Sequence, residues 1–270
     1  MVEIVHRETA AVLLRTPAAT LSGQTLRDEK LAYAQLDGAD LRGADLRGTD
    51  LCIASLRGAR LAGANCAGAD LSGASLEGAD LSDADFTDAR LLYADCRNAT
   101  LSRASFLRAT MDHASLVGAT AESARFVRAS LAYANLGGAR LAGADLSSAI
   151  LRFADLSDAS CAFATFENAS LVSAKLARAD LTGAELTMAN LDGAVLAGAR
   201  LGEASFYRTL LTGCTDLERA VGLDEARHHG PSVLDLATLR AGAFLPLAFL
   251  EGVGLAAGFV EALRPLLAEL

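Results

Sequence analysis

Ala39-Asp40-Leu41-Arg42-Gly43-Ala44-Asp45-Leu46-Arg47-Gly48 is one five-residue unit written twice. From Ala34 to Ala204 every fifth residue is alanine, with Thr49 as the one exception. Two residues after each alanine stands Leu, Phe, Cys or Met, except at Ala121. A strict short period marks a solenoid, in which each unit buries its apolar side only by stacking on its neighbours. A period of five fits neither a helix, at roughly 3.6 residues per turn, nor a strand, at about 2. Two apolar residues two apart point the same way in an extended segment, and the next pair must follow a change of direction. A chain that turns once per unit, always in the same sense, coils around its own alanines and leucines.

The aromatic residues set the length of one coil. Phe86, Phe106, Phe126, Phe166 and Phe206 hold the central position and differ by multiples of twenty. Two residues after the central position, Tyr33, Ile53, Tyr93, His113, Tyr133 and Phe153 fall on a second twenty-residue ladder, interrupted by Gly73, while Phe163 falls outside it. Twenty residues per coil means four units and four walls.

This unit, repeated without interruption over roughly 21–211, resembles the pentapeptide-repeat proteins. The resemblance implies an all-β fold, a right-handed quadrilateral β-helix of about nine to ten coils, with coils about 4.8 Å apart and a rod about 45 Å long. The expected organisation is an N-terminal cap over 1–20, the β-helix over 21–211, and a mainly helical capping or oligomerisation segment over 212–270. Gln24 and Glu29 occupy alanine positions in the first coil, as a hydrated end would require.

The formal net charge is −9 and no Lys/Arg run exists, which argues against direct nucleic-acid binding. Arg is interleaved with Asp, so the charge keeps an open solenoid in solution. The cysteines (Cys52, Cys66, Cys96, Cys161 and Cys214) are odd in number, three of them at central positions on different walls. With Glu3, His6, Arg7 and Glu8 breaking the start against a signal peptide, they point to a reducing cytoplasm. The glycines fall at unit corners rather than in a phosphate loop. The aspartates precede the central residue, where a short polar side chain shapes the turn. His6, His113, His228 and His229 lack metal-ligand spacing. No catalytic set, metal or cofactor is expected, and the chain reads as a non-enzyme.

Two features rise above scaffold. The first is the outward column of Tyr33, Ile53, Tyr93, His113, Tyr133 and Phe153, read equally as a contact surface and as rings that stabilise the coil by stacking. The second is the C-terminal flank. Asp216 to Leu223 reads as a short helix closing at glycine. Leu255, Phe259, Leu263 and Leu267 recur every four residues, one helical face suited to oligomerisation, with Pro265 set to kink or end it. Ala241 to Val260 is nearly apolar and as long as a membrane span, but Glu251 and Pro246 interrupt it, and a capping module is favoured.

His228-His229-Gly230-Pro231-Ser232 and Phe249-Leu250-Glu251-Gly252-Val253-Gly254 are similar to the junction that follows the repeats in bacterial pentapeptide-repeat proteins carrying a Toll/interleukin-receptor-like effector domain. Glu251 replaces the usual basic residue. The resemblance implies the scaffold part of an effector or defence protein that pairs with a protein partner, itself included. The alternative, from another branch of the family, is an acidic DNA-mimicking rod that binds gyrase or a related type II topoisomerase and protects it from quinolones or natural toxins.

Overall fold

The structure is a computed structural model and describes residues 1–241 and 245–268; side chains at 241, 263, 264 and 266–268 fall outside that description. The repeat is built from corners. In each unit the alanine N–H donates to the preceding central carbonyl, as Ala44 N does to Leu41 O at 3.0 Å. This closes a turn whose third residue has a positive φ, +63° at Gly43. Between corners, one residue per unit pairs in parallel with the residue twenty positions on: Asp40 with Arg60, Arg60 with Asp80, and so on from Thr25 to Thr215. Leu41 N donates to Arg60 O at 2.8 Å and Arg60 N to Ala39 O at 2.9 Å, so each coil is stitched to the next through its backbone. The twenty-residue coil read from the phenylalanines is thus present in the hydrogen bonds. The walls are narrower than strands: most consist of a single bridged residue flanked by turns.

The core is an axial column of small and large side chains. The alanines and central leucines from Ala44 to Leu196 are all essentially inaccessible. Phe86, Phe106 and Phe126 stack through one wall at 5.0 Å between successive ring centroids, their planes nearly parallel. Thr49, the break in the alanine series, is fully buried because its hydroxyl donates to Leu26 O at 2.7 Å. Thr209 repeats the device on Leu186 O at 2.8 Å, and the Cys214 thiol on Leu191 O at 3.2 Å. The loss of alanine at Thr209 therefore does not end the stacking: Leu211 is buried and Thr215 still bridges Val195.

At the N-terminus, β1 (Val2–His6) and β2 (Val12–Thr16) form an antiparallel hairpin. β1 then pairs with β3 (Ala34–Gln35) in the first coils, and Ile4 enters the core. At the other end the register stretches. Arg200 bridges Val221, β4 (Ser205–Phe206) pairs in parallel with β5 (Arg227–His228), and Leu210 bridges Val233. The extra residues form two 3-10 turns, Leu217–Arg219 and Leu223–Glu225. The expected helix closing at glycine is not found: Gly222, at φ +79°, precedes the second turn, because its backbone lies against Gly202, where a Cβ would meet Gly202 N at 2.7 Å.

Among the described residues three helices follow: α1 (Leu236–Ala241), α2 (Leu247–Gly252) and α3 (Ala257–Ala268). Asp235 caps α1 by accepting from Thr238 N at 2.8 Å and ties it to the last coil through Gly213 N. Leu245, Phe249, Leu250, Val253 and Val260 are buried against the end of the core. Pro265 sits inside α3. Among the described residues no helix is long and apolar enough to cross a membrane.

Candidate functional site

The outward column occupies the corner position, where the backbone is left-handed. Tyr33, Ile53, Tyr93, His113, Tyr133 and Phe153 all have φ between +57° and +60°. Glycine is the residue that fits this conformation without strain, and a bulky or β-branched residue there is an outlier. Stacking returns part of that cost. Tyr93, His113, Tyr133 and Phe153 form one continuous stack with centroids 4.8, 5.0 and 4.9 Å apart. Their edges remain in water: Tyr93 is 66% exposed and Tyr133 53%. Ile53 and His113 are also exposed, whereas Tyr33 is half-buried beneath the His6 ring at 5.1 Å. The structure thus brings four of the six residues into one stack, and Gly73 separates them from Ile53 and Tyr33. Phe163, 69% exposed and lying over Gly183, is a further outward ring on a different column.

The acidic residues are engaged locally. Asp40 accepts from its own turn and from Arg42 at 2.7 Å, and Arg42 holds its carboxyl down at about 2. Asp45 is held below the usual carboxylate range by Arg47 in the same way. Other carboxylates pair with the coil above: Asp83 with Arg103, Asp88 with Arg108 and Asp158 with Arg178, all within 2.7 Å. Arg60 lies 3.3 Å from Asp40, which neutralises that wall where the sequence places its negative run. Burial pushes the thiols of Cys96 and Cys161 up to about 12, which leaves them neutral and inert. An open groove of about 360 Å³ lies at the register stretch, lined by Thr182, Arg200, Gly202, Val221, Gly222, Asp224 and Glu225.

The tail is a clasp. The His228 ring stacks on Phe206 at 5.5 Å and meets Phe249 edge-on at 5.2 Å, extending the buried phenylalanine ladder by one ring. Burial lowers its pKa, and neither ring nitrogen has a hydrogen-bond partner among the described residues. The two sequence runs of the junction pack on each other. Ser232 N donates to Val253 O at 3.1 Å, and a Cβ on Gly252 would come within 2.2 Å of the His228 ring. Leu255 precedes α3 instead of sharing its face: the loop through Gly254, at φ +106°, turns Leu255 back so that its N–H donates to Leu250 O at 3.0 Å. Phe259 is 54% exposed on α3, and the side chains of Leu263 and Leu267 lie outside the described residues.

Corner turns, twenty-residue bridges and an Ala/Leu core define a pentapeptide-repeat solenoid. The chain belongs to that family: the pentapeptide-repeat model matches in eight copies, over residues 18–51, 54–92, 89–126, 124–160, 159–196 and 189–220. Among solved structures it is similar to HetL, a pentapeptide repeat protein involved in heterocyst differentiation regulation in the cyanobacterium Nostoc. The two are 34% identical over 80% of this chain and 92% of HetL, with a TM-score of 0.42. It is also similar to alr5209, a Nostoc pentapeptide repeat protein, at 43% identity over 30% of this chain and 68% of that one, TM-score 0.30. QnrB1, a plasmid-mediated fluoroquinolone resistance protein, matches at 17% identity over 87% of this chain and 94% of that one, TM-score 0.40. No curated protein matches the chain.

Proposed function

We propose that this protein is a non-enzymatic, cytoplasmic scaffold, the rod of a bacterial effector or defence system. In this reading the right-handed β-helix of about nine to ten coils spans 21–211 between the 1–20 cap and the 212–270 segment. The rod presents the aromatic column to a protein partner, and the C-terminal helices join it to a second copy. One observation carries the reading: bulky side chains are held at left-handed corners and left exposed, where glycine would satisfy the backbone with less strain. The tail supports self-association through exposed Phe259 beside buried Val260. Light scattering of the intact protein should give a mass above one chain, reduced by Phe259→Asp. A single-chain mass in both would remove the oligomer from this reading.

The alternative, a DNA-shaped inhibitor of a type II topoisomerase, needs a wall negative over several coils. Arg60 and Arg200 fall in line with Asp40 and Asp180 and pair with them at 3.3 and 4.0 Å. The next wall retains Asp45, Asp85, Asp145 and Glu185 with Arg125 among them. The protein is expected to leave gyrase supercoiling, and its inhibition by a quinolone, unchanged. Strong inhibition, relieved by reversing Asp45, Asp85 and Asp145 to lysine and weakened by salt, would reverse the ranking.

A further inference from the structure

At the open end of the rod, where Val5 and His6 of β1 pair with Gln35 and Ala34, the chain itself seats an extended segment on the corner column. His6 stacks flat on Tyr33, interplanar angle 14°. Arg7 N then donates to the Tyr33 carbonyl at 2.8 Å, and the Arg7 guanidinium to the Ile53 carbonyl at 2.9 Å. Consecutive coils are one strand spacing apart, about 4.8 Å, which leaves no room for a second ring between Tyr33 and Ile53. His6 therefore takes the other face of Tyr33, the face with no coil beneath it.

Sixty residues on, three coils along the rod, the same receptors recur unoccupied by the chain itself. Tyr93 takes the place of Tyr33 and His113 that of Ile53. The Tyr93 and His113 carbonyls accept no hydrogen bond among the described residues. Below Tyr93 stands Gly73, whose missing side chain leaves a gap between Ile53 and Tyr93. A Cβ there would touch only Ile53 Cγ1, at 3.4 Å. Two strand spacings, about 9.6 Å, separate the flanking backbones, which is the thickness of one stacked ring between two others.

We propose that the Gly73 gap is a binding slot for an extended segment of a partner protein in which an aromatic residue is followed directly by arginine. The ring enters between Ile53 and Tyr93. The arginine N–H donates to the Tyr93 carbonyl and its guanidinium to the His113 carbonyl, the acceptors that stand sixty residues on from those Arg7 uses. The chain's own aromatic–arginine pairs are both engaged, His6–Arg7 on Tyr33 and Tyr207–Arg208 at the end of the repeat, where Arg208 N donates to Pro231 O at 2.9 Å, so the occupant comes from another molecule. This rests on the reading of the column as a contact surface and names the kind of partner it takes.

The protein contains no tryptophan, so a tryptophan probe is read against a silent background. Acetyl-Ala-Trp-Arg-Ala-amide should bind the intact protein saturably, with a blue shift of tryptophan emission. Acetyl-Ala-Trp-Ala-Ala-amide should bind several-fold more weakly. Gly73→Phe fills the slot with a side chain that Tyr93 and Tyr133 show is tolerated at this backbone, and should lower affinity at least tenfold. Gly43→Phe, at an open corner on another column, should leave it unchanged. If Gly73→Phe fails to fold by circular dichroism, Tyr93→Ser gives the same decision by removing the ring face. Absence of saturable binding to the wild type, or equal affinity in the slot variants, overturns the proposal. Binding that survives Gly73→Phe and is lost in Tyr133→Ser would place the contact elsewhere on the ladder, ending the slot while keeping the contact surface.

Discussion

At the scale of single residues, what fixes this protein is the side chain that fills each repeated slot. Phe106 is fully buried and stacked on both faces, by Phe86 and Phe126. Phe106→Ala should cost about 3–5 kcal/mol in chemical denaturation, since a coil fixed above and below cannot collapse into the cavity. A loss under about 1 kcal/mol would mean that the wall is poorly packed there. Asp40 tests the surface. Arg42 and the turn N–H hold its carboxyl at about 2, against 3.8 unperturbed. A depressed carboxylate contributes stability that is complete above pH 3.8 and lost as pH falls through about 2. Carboxyl titration by NMR should show Asp40 ionised well below pH 3.8, and Arg42→Gln should move it back toward that value. Titration of wild-type Asp40 at its ordinary value would refute the pairing. These residues were legible in advance because the period assigns each a column: the phenylalanine wall follows from spacing alone. The hydroxyl bonds of Thr49 and Thr209 were not, since an exception to a repeat shows that the slot differs but not which carbonyl it meets.

At the scale of elements, the repeat and the tail are legible to different degrees. A corner needs a left-handed residue and a small neighbour, so five residues of sequence specify it locally. The tail has no period, and its geometry depends on contacts between segments far apart in the chain. The histidine-glycine run and the glycine-rich run read as a motif, but that one supplies a ring and the other the space for it emerges only in three dimensions. Gly252 has no Cβ where His228 stands, and His228 is held between Phe206 and Phe249 and cannot retreat. Gly252→Ala should therefore loosen α2, raising amide exchange over Leu247–Gly252 while the coils keep their protection. His228→Ala together with Gly252→Ala should restore much of it. If Gly252→Ala leaves exchange over α2 unchanged, the contact does not hold the cap.

For the whole molecule, the rod is close to one-dimensional: each coil touches only the coils beside it, and identity along the axis is set by register. Backbone stitching would tolerate any whole unit being removed, because every unit presents the same donors and acceptors. The columns would not, because each ladder depends on the twenty-residue spacing. Deleting 127–146 removes one full coil. Phe126 then leads into Ser147, Phe153 takes the place of Tyr133 above His113, and every later residue keeps its wall. The product should fold, shortened by about 4.8 Å along the rod, with little change in unfolding temperature. Deleting 127–131 removes one unit and shifts every later residue by one wall. Tyr133 leaves His113 and moves to the column of Arg108, and the C-terminal clasp turns a quarter revolution relative to the N-terminal hairpin. This variant should keep its β-type circular dichroism but melt at a lower temperature, with the Trp-Arg probe still binding at the Gly73 slot, which lies below the deletion. Equal melting of the two deletions would mean that the aromatic ladders add nothing to the backbone stitching; a twenty-residue deletion less stable than the five-residue one would contradict the four-walled register itself.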